Sequence, residues 1–126
     1  MKEIIDKLIL IERETSQEKS GYDLFALFLR EDSSNKWDIL VAAKWINNNK
    51  EDALKYLATK IQNSFNQDEL LLISRIVIIE DNNPALPALQ QAINIEHGSA
   101  EIKDSNFFGI QIKHAFLITS LRRHAA

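Results

Sequence analysis

Two apolar runs decide the fold: YDLFALFLR at residues 22–30 and KWDILVAAKW at residues 36–45. The polar segment EDSSN at residues 31–35 separates them. Short runs rich in aromatic and branched side chains on either side of a short polar segment are typical of an antiparallel β-hairpin. We therefore predict strands over 22–30 and 36–45 with a turn between them.

The two predicted strands differ in how their side chains alternate. In residues 22–30 the side chains predicted for both faces of the strand are apolar. This is typical of a strand in the middle of a sheet that has other elements packed on both of its faces. Residues 36–45 are more one-sided, and Trp37 and Trp45 fall on the same predicted face, because successive side chains of a strand alternate. The hairpin therefore predicts a layered fold with a central sheet.

The remaining segments complete an α+β fold. Helical spacing of apolar residues predicts three main helices over 3–14, 49–65 and 84–94, and a short helix over 67–73. A β-branched run predicts a strand over 74–80, and a second hairpin is predicted over 99–104 and 108–119 with its turn at 104–106. We predict one α+β domain with a mostly antiparallel five-stranded sheet, made of two hairpins and one further strand.

Composition excludes several classes of function. The 126 residues carry a net charge of −3, which argues against a nucleic-acid partner. The chain has no cysteine, which excludes disulfides, thiolate metal sites and thiol nucleophiles. Its three glycines are isolated, so no phosphate-binding loop and no cofactor is expected.

Charges interrupt the apolar residues at the N-terminus, and no segment is apolar for long enough to cross a bilayer. We expect a cytoplasmic, bacterial protein.

One enzymatic hypothesis arises from residues 101–113. Glu101 and Asp104 precede the triplet of Gln111, Ile112 and Lys113, so that acids and a lysine could share a sheet face. This arrangement resembles the restriction-endonuclease-like family over these residues alone, with a shorter spacing between acid and triplet. The resemblance implies carboxylates that hold a divalent ion and a lysine that steadies the attacking water.

A metal site is a second possibility among the polar residues. Glu96, His97 and His114 could supply nitrogen and oxygen ligands, and His124 is the third histidine. The alternative is a loop histidine beside a glycine and a surface histidine on a strand. Since nothing in the spacing determines ligand geometry, we predict no metal site.

The aromatic residues offer a surface hypothesis. Trp37, Trp45, Phe107 and Phe108 either pack in the core or contribute to an exposed apolar patch that binds a partner. Three helices need not cover both faces of a five-stranded sheet, and uncovered apolar surface is commonly buried by a second subunit. We therefore predict a homodimer whose interface includes the outer face of the second or last strand.

These observations favour a small non-catalytic protein that acts in protein interaction, as a regulatory or accessory component and as a homo-oligomer. Whether it is an enzyme stays open. The first alternative is a metal-dependent nuclease or phosphodiesterase built on Glu101, Asp104, Gln111 and Lys113. The second is a small-ligand-binding module with a cavity near Trp37 or Trp45.

Overall fold

The computed structural model describes residues 1–32 and 34–122. Five helices and five strands lie within these residues. The helices are α1 (Lys2–Glu18), α2 (Lys44–Asn48), α3 (Lys50–Ser64), α4 (Gln67–Leu71) and α5 (Ala85–Ala92). The strands are β1 (Leu24–Arg30), β2 (Trp37–Ala42), β3 (Ile73–Ile78), β4 (Ala100–Phe107) and β5 (Ile110–Ser120). The prediction of an α+β fold is confirmed, and α1, α3 and α5 correspond to the three predicted main helices.

The five strands form one mixed sheet in the order β3-β2-β1-β5-β4. Both predicted hairpins are present as the antiparallel pairs β1–β2 and β4–β5, and β1 also pairs antiparallel with β5. β3 lies parallel to β2, because the chain crosses back over the sheet through α3 before β3 begins. The sheet is therefore mixed, whereas the sequence predicted a mostly antiparallel one.

β1 is buried on both sides, as its two apolar sets predict. On what we call the first face, side chains such as Phe25 and Leu27 pack in one core with α1 and α3. On the second face, Leu24, Ala26 and Phe28 pack in another core with α5. Each fully buried large apolar side chain contributes roughly 1.5–3 kcal/mol, so these two layers hold the helices on the sheet.

β2 is also buried at all six of its positions. β2 therefore has little exposed surface for the predicted interface at the outer face of the second or last strand, and that interface stays a prediction. The strand is buried because the second face is covered from two directions, by α5 and by Phe107 and Phe108 beside the β4–β5 turn. The prediction from the sequence considered only the three helices as cover for the sheet and not the aromatic residues beside the β4–β5 turn.

Local polar groups set the beginnings of three helices. Asn49 Oδ1 accepts a hydrogen bond from the Asp52 amide at 3.2 Å and caps α3. Asn66 and Glu69 form a reciprocal capping box at α4, with 2.8 Å for each hydrogen bond. Asn83 Oδ1 accepts from the Ala85 amide at the start of α5. The side-chain caps at Asn49 and Asn66 contribute about 1 kcal/mol each.

The sequence predicted Trp45 on the second strand, but Trp45 lies on α2. β2 ends at Ala42, and the Ala43 carbonyl accepts hydrogen bonds from the amides of Ile46 and Asn47, which starts α2. The helical turn places Ile46 in the first-face core, where it is fully buried. Burial of Ile46 explains why the chain leaves the strand before Trp45.

The second hairpin turns later than predicted. β4 continues through residues 104–106, and the turn is formed by Phe108 and Gly109, whose φ angles are +56° and +72°. Two successive left-handed residues match the twist of a tight hairpin, and glycine adopts this conformation without strain. Asp104 instead has a φ of +49° inside β4 and interrupts that strand. The polar residues that predicted a turn therefore mark an irregularity.

Candidate functional site

The predicted interface residue Trp37 lies in the core of the single chain. It is 6% exposed, and its ring centroid lies 5.5 Å from that of His114 and 5.8 Å from that of Phe116. An interface anchor must present surface in the unbound protein, and Trp37 presents very little. The core alternative describes its position.

Trp45 is half-buried on α2, beside an open cleft. Its ring meets Tyr22 and Tyr56 edge-on, with centroid separations of 5.6 Å and 6.0 Å. The cleft has a volume of about 220 Å³ and is also lined by Lys19 and Asp52. The indole Nε1 of Trp45 is buried and has no hydrogen-bond partner within the part of the chain that the structure describes. This cleft lies where the small-ligand alternative expected a cavity, but its walls are partly charged.

Phe107 and Phe108 are half-buried at the β4–β5 turn. Their ring centroids lie 6.1 Å and 6.3 Å from that of Phe28 on the second face. Both residues therefore cover the sheet of their own chain and keep only part of their surface for a partner. Their role as interface anchors stays a prediction.

The residues of the nuclease hypothesis lie on the terminal hairpin but do not converge. Asp104 and Lys113 stand at opposite positions of β4 and β5, between the pairs Lys103–His114 and Ser105–Ile112, but they are not themselves paired. Glu101 is hydrogen-bonded to His114, and Gln111 pairs with Asn106. Within residues 1–32 and 34–122, no group of three or more histidine, aspartate and glutamate side chains is placed to hold a metal ion.

The histidines of the metal hypothesis take separate partners. His114 contacts Glu101 in the middle of the terminal hairpin, whereas His97 contacts Glu12 of α1. Glu96 Oε2 lies 3.8 Å from His97 Nε2. His124 lies outside the described residues. Glu96, His97 and His114 therefore do not form one cluster.

A buried polar cluster joins α1 to the end of β5. Glu12 is completely buried, and its Oε1 lies 2.5 Å from His97 Nδ1. Its Oε2 accepts hydrogen bonds from Thr119 Oγ1 at 2.8 Å and from Ser16 Oγ at 3.2 Å. An ionised carboxylate only accepts hydrogen bonds, so the contact with ionised Glu12 is made through an N–H at Nδ1 of His97. Sequence reasoning missed this cluster, although Glu12 stands between Ile11 and Thr15 on the apolar stripe of α1.

The backbone at His97 depends on the same cluster. His97 has a φ of +54°, and its amide donates to Thr119 Oγ1 at 3.1 Å. Nearby, Thr15 Oγ1 lies 2.7 Å from the hydroxyl of Tyr22, and burial raises the pKa of that hydroxyl. A left-handed histidine is uncommon and is kept by its surroundings. The geometry holds α1, β5 and residue 97 together.

A second buried carboxylate lies on the second face of the sheet. Asp38 of β2 is 3% exposed, and its oxygens lie 3.2 Å from Arg30 Nε and 3.5 Å from Arg75 Nε. Asp38 therefore forms ion pairs with both arginines. The hollow beside it has a volume of about 40 Å³. It is too small for a drug-sized ligand, because pockets for such ligands measure roughly 300 Å³ or more.

Exposed apolar side chains gather at one end of the sheet, which we call the turn end. It comprises the turn between β1 and β2, the turn between β4 and β5, and the junction of α4 with β3. Glu31 N donates to Gln111 O, and Trp37 N donates to Leu72 O, which places the three segments at the same end. Leu71 is 64% exposed, Leu72 40% and Ile110 37%. Interfaces combine such apolar residues with a polar rim.

Comparison with known proteins identified no similar sequence or structure. The chain matches no family model, no curated protein and no solved structure. Among the described residues, none of the helices has both the length and the apolar character needed to cross a membrane.

Proposed function

We propose that this chain is a non-catalytic protein-interaction module that self-associates through its turn end. The observation that carries the proposal is the position of Leu71 and Leu72, which are exposed next to each other where α4 meets β3. Most other large apolar side chains of the described residues are buried in the two cores. Exposed neighbouring leucines lose unfavourable contact with water when a second surface covers them.

The charges at the turn end are compatible with association between identical copies. Arg30, Glu31 and Asp32 line an open groove there, so both signs of charge occur close together. A surface of mixed charge can meet a copy of itself without strong repulsion, whereas a surface of one sign cannot. A regulatory or accessory role in the cytoplasm is part of the same proposal.

Light scattering after size-exclusion chromatography tests the proposal at micromolar to hundred-micromolar concentration. We expect the mass to rise above the 14.5 kDa of one chain. The double variant Leu71→Lys/Leu72→Lys should remain at the mass of one chain. The control is Leu10→Lys, because Leu10 is 58% exposed but belongs to α1 rather than to the α4–β3 junction. A wild-type protein that stays at one chain mass throughout would contradict self-association.

A second candidate function is supported by the cleft at Trp45. Trp45 and Tyr56 form its aromatic walls, and Lys19 and Asp52 lie at its rim. The cleft of about 220 Å³ is below the size of pockets for drug-sized ligands, so it suits a smaller ligand that carries a flat apolar part and a polar group. Quenching of tryptophan fluorescence with a metabolite panel tests it. Binding should disappear in Tyr56→Ala, and no change with any ligand would count against this function.

A further inference from the structure

β3 occupies one edge of the sheet and leaves its outer backbone groups without a strand partner. Within the described residues its only neighbouring strand is β2. Ile79 N donates to Val41 O of β2 at 2.8 Å. Because backbone amides alternate in direction along a strand, the amides of Ile76 and Ile78 point away from β2. An edge of this kind can accept one more strand.

The two edges of the sheet differ in their protection. β4, at the opposite edge, carries Glu101, Lys103 and Asp104, and the left-handed backbone of Asp104 interrupts its regular pairing. Charges and irregularities are the features that keep an edge strand from pairing with other chains. The pairing of β3 with β2 shifts register once, between Ile73 and Arg75, and is regular from Arg75 onward. That regular part has no left-handed residue and a single charge, Arg75, which lies against Asp38. The open edge is therefore β3.

The side chains of β3 are also less buried than those of its neighbouring strand. Ile76, Val77 and Ile78 are only partly buried, whereas the residues of β2 beside them are all buried. Leu71 and Leu72 directly precede β3 and add exposed apolar surface to the same edge. A partner strand at this edge would cover the β-branched residues and would lie next to the leucines.

We propose that β3 pairs antiparallel with β3 of a second copy, which joins the two sheets across a two-fold axis. This inference rests on the proposed self-association and places the contact at β3, so that of the turn end only Leu71 and Leu72, which precede β3, lie next to the partner. Identical edges that pair antiparallel form a closed dimer, whereas pairing of β3 with β4 would continue into an open chain of subunits. The protected edge at β4 disfavours that open arrangement.

The charge on Arg75 selects the register. Opposite residues of an antiparallel pair face the same side of the sheet, so the two-fold axis passes beside a single residue of β3. An axis at Arg75 would place two guanidinium groups opposite each other, which is unfavourable. An axis at Ile76 avoids this contact and pairs Ser74 of one copy with Ile78 of the other. We place the axis at Ile76 because its backbone amide points away from β2 and would there pair with the Ile76 carbonyl of the second copy.

Amide hydrogen exchange on the unmodified protein tests the edge. The Ile76 and Ile78 amides should exchange at least about tenfold more slowly at concentrations where the protein is dimeric than where it is monomeric. Amides of β4 should exchange at the same rate in both. A dimer in which the Ile76 and Ile78 rates do not change would overturn this inference and leave self-association standing.

Cysteine cross-linking tests the register. The chain has no cysteine, so Ile76→Cys introduces a single thiol. Directly opposed Cα atoms of an antiparallel pair lie roughly 4.5–5.5 Å apart, which is within the range of a disulfide. We expect oxidation to cross-link Ile76→Cys into a covalent dimer and to leave the control Ser105→Cys on β4 monomeric. Equal cross-linking of both variants would overturn the register, and a chain that is monomeric at every concentration would remove the proposed function as well.

Discussion

The carboxylate of Glu12 and the imidazole of His97 meet at 2.5 Å although 85 residues separate them along the chain. The contact joins α1 to the segment before β4, and Thr119 adds the last strand of the sheet to the same carboxylate. Breaking a buried pair by removing one member leaves the other groups without their partner, which is more costly than losing a surface contact. The cluster therefore makes a specific prediction about stability.

Replacing Glu12 with alanine should lower the free energy of unfolding by about 3 kcal/mol or more, because His97 and Thr119 lose a buried acceptor. Urea unfolding followed by tryptophan fluorescence measures the change. The control is Glu14→Ala, because Glu14 is an exposed glutamate on the same helix. A surface substitution of this kind should change the free energy of unfolding by no more than about 0.5 kcal/mol. Equal effects of the two variants would show that the cluster is not important for stability.

Glu69 predicts a dependence of stability on pH. A hydrogen bond from Lys7, assisted by the Asn66 amide, lowers the pKa of the Glu69 carboxyl below its usual value of 4.5. Because the folded-state pKa is the lower one, the unfolded chain binds the proton first as pH falls. The stabilisation is thus present above pH 4.5 and is lost as pH falls through the lowered pKa.

Urea unfolding between pH 6 and pH 3 measures this dependence. Glu69→Gln should be less stable than wild type at pH 6, and the difference should shrink toward pH 3. Asp68→Asn is the control because it leaves the contact between Lys7 and Glu69 in place. A difference between Glu69→Gln and wild type that is the same at both ends of the range would be inconsistent with this assignment.

Substitution of Gly109 at the β4–β5 turn should lower stability through its backbone conformation. Its φ is +72°, and an added Cβ would meet no heavy atom within 4 Å, so the cost of substitution comes from the backbone alone. Gly109→Ala should therefore lower the free energy of unfolding by about 1–2 kcal/mol. Gly109→Asn should cost less, because asparagine tolerates the left-handed region. Thermal unfolding compares the two variants, and an alanine variant as stable as wild type would contradict the turn geometry.

The terminal hairpin predicts no binding of divalent metal ions. Glu101 already contacts His114, and Asp104 lies opposite Lys113 rather than beside a second carboxylate. Calorimetric titration with Mg²⁺ and Mn²⁺ should give no binding heat, and incubation with DNA should give no cleavage. Metal-dependent cleavage that disappears in Lys113→Ala would support the nuclease alternative instead.

Helix ends and the central hairpin were predictable because their signals are local. Asn49 and Asn66 precede acidic residues within one turn, and the caps they form need no contact from elsewhere in the chain. The apolar residues on both sides of β1 indicated cover on both faces, and the two cores supply it. Trp45 could not be placed in the same way, because its position depends on the burial of Ile46 in a core that distant segments build.

By itself, the sequence determined which segments are helical or extended, since side-chain periodicity, capping residues and β-branched runs act over a few neighbouring positions. Only the tertiary structure decided which groups meet: Glu12 with His97, Asp38 with two arginines, and β3 with an open edge beside exposed leucines. Those contacts depend on strand order and on the parallel crossover through α3. Strand order follows from the packing of the whole chain, which no single segment encodes.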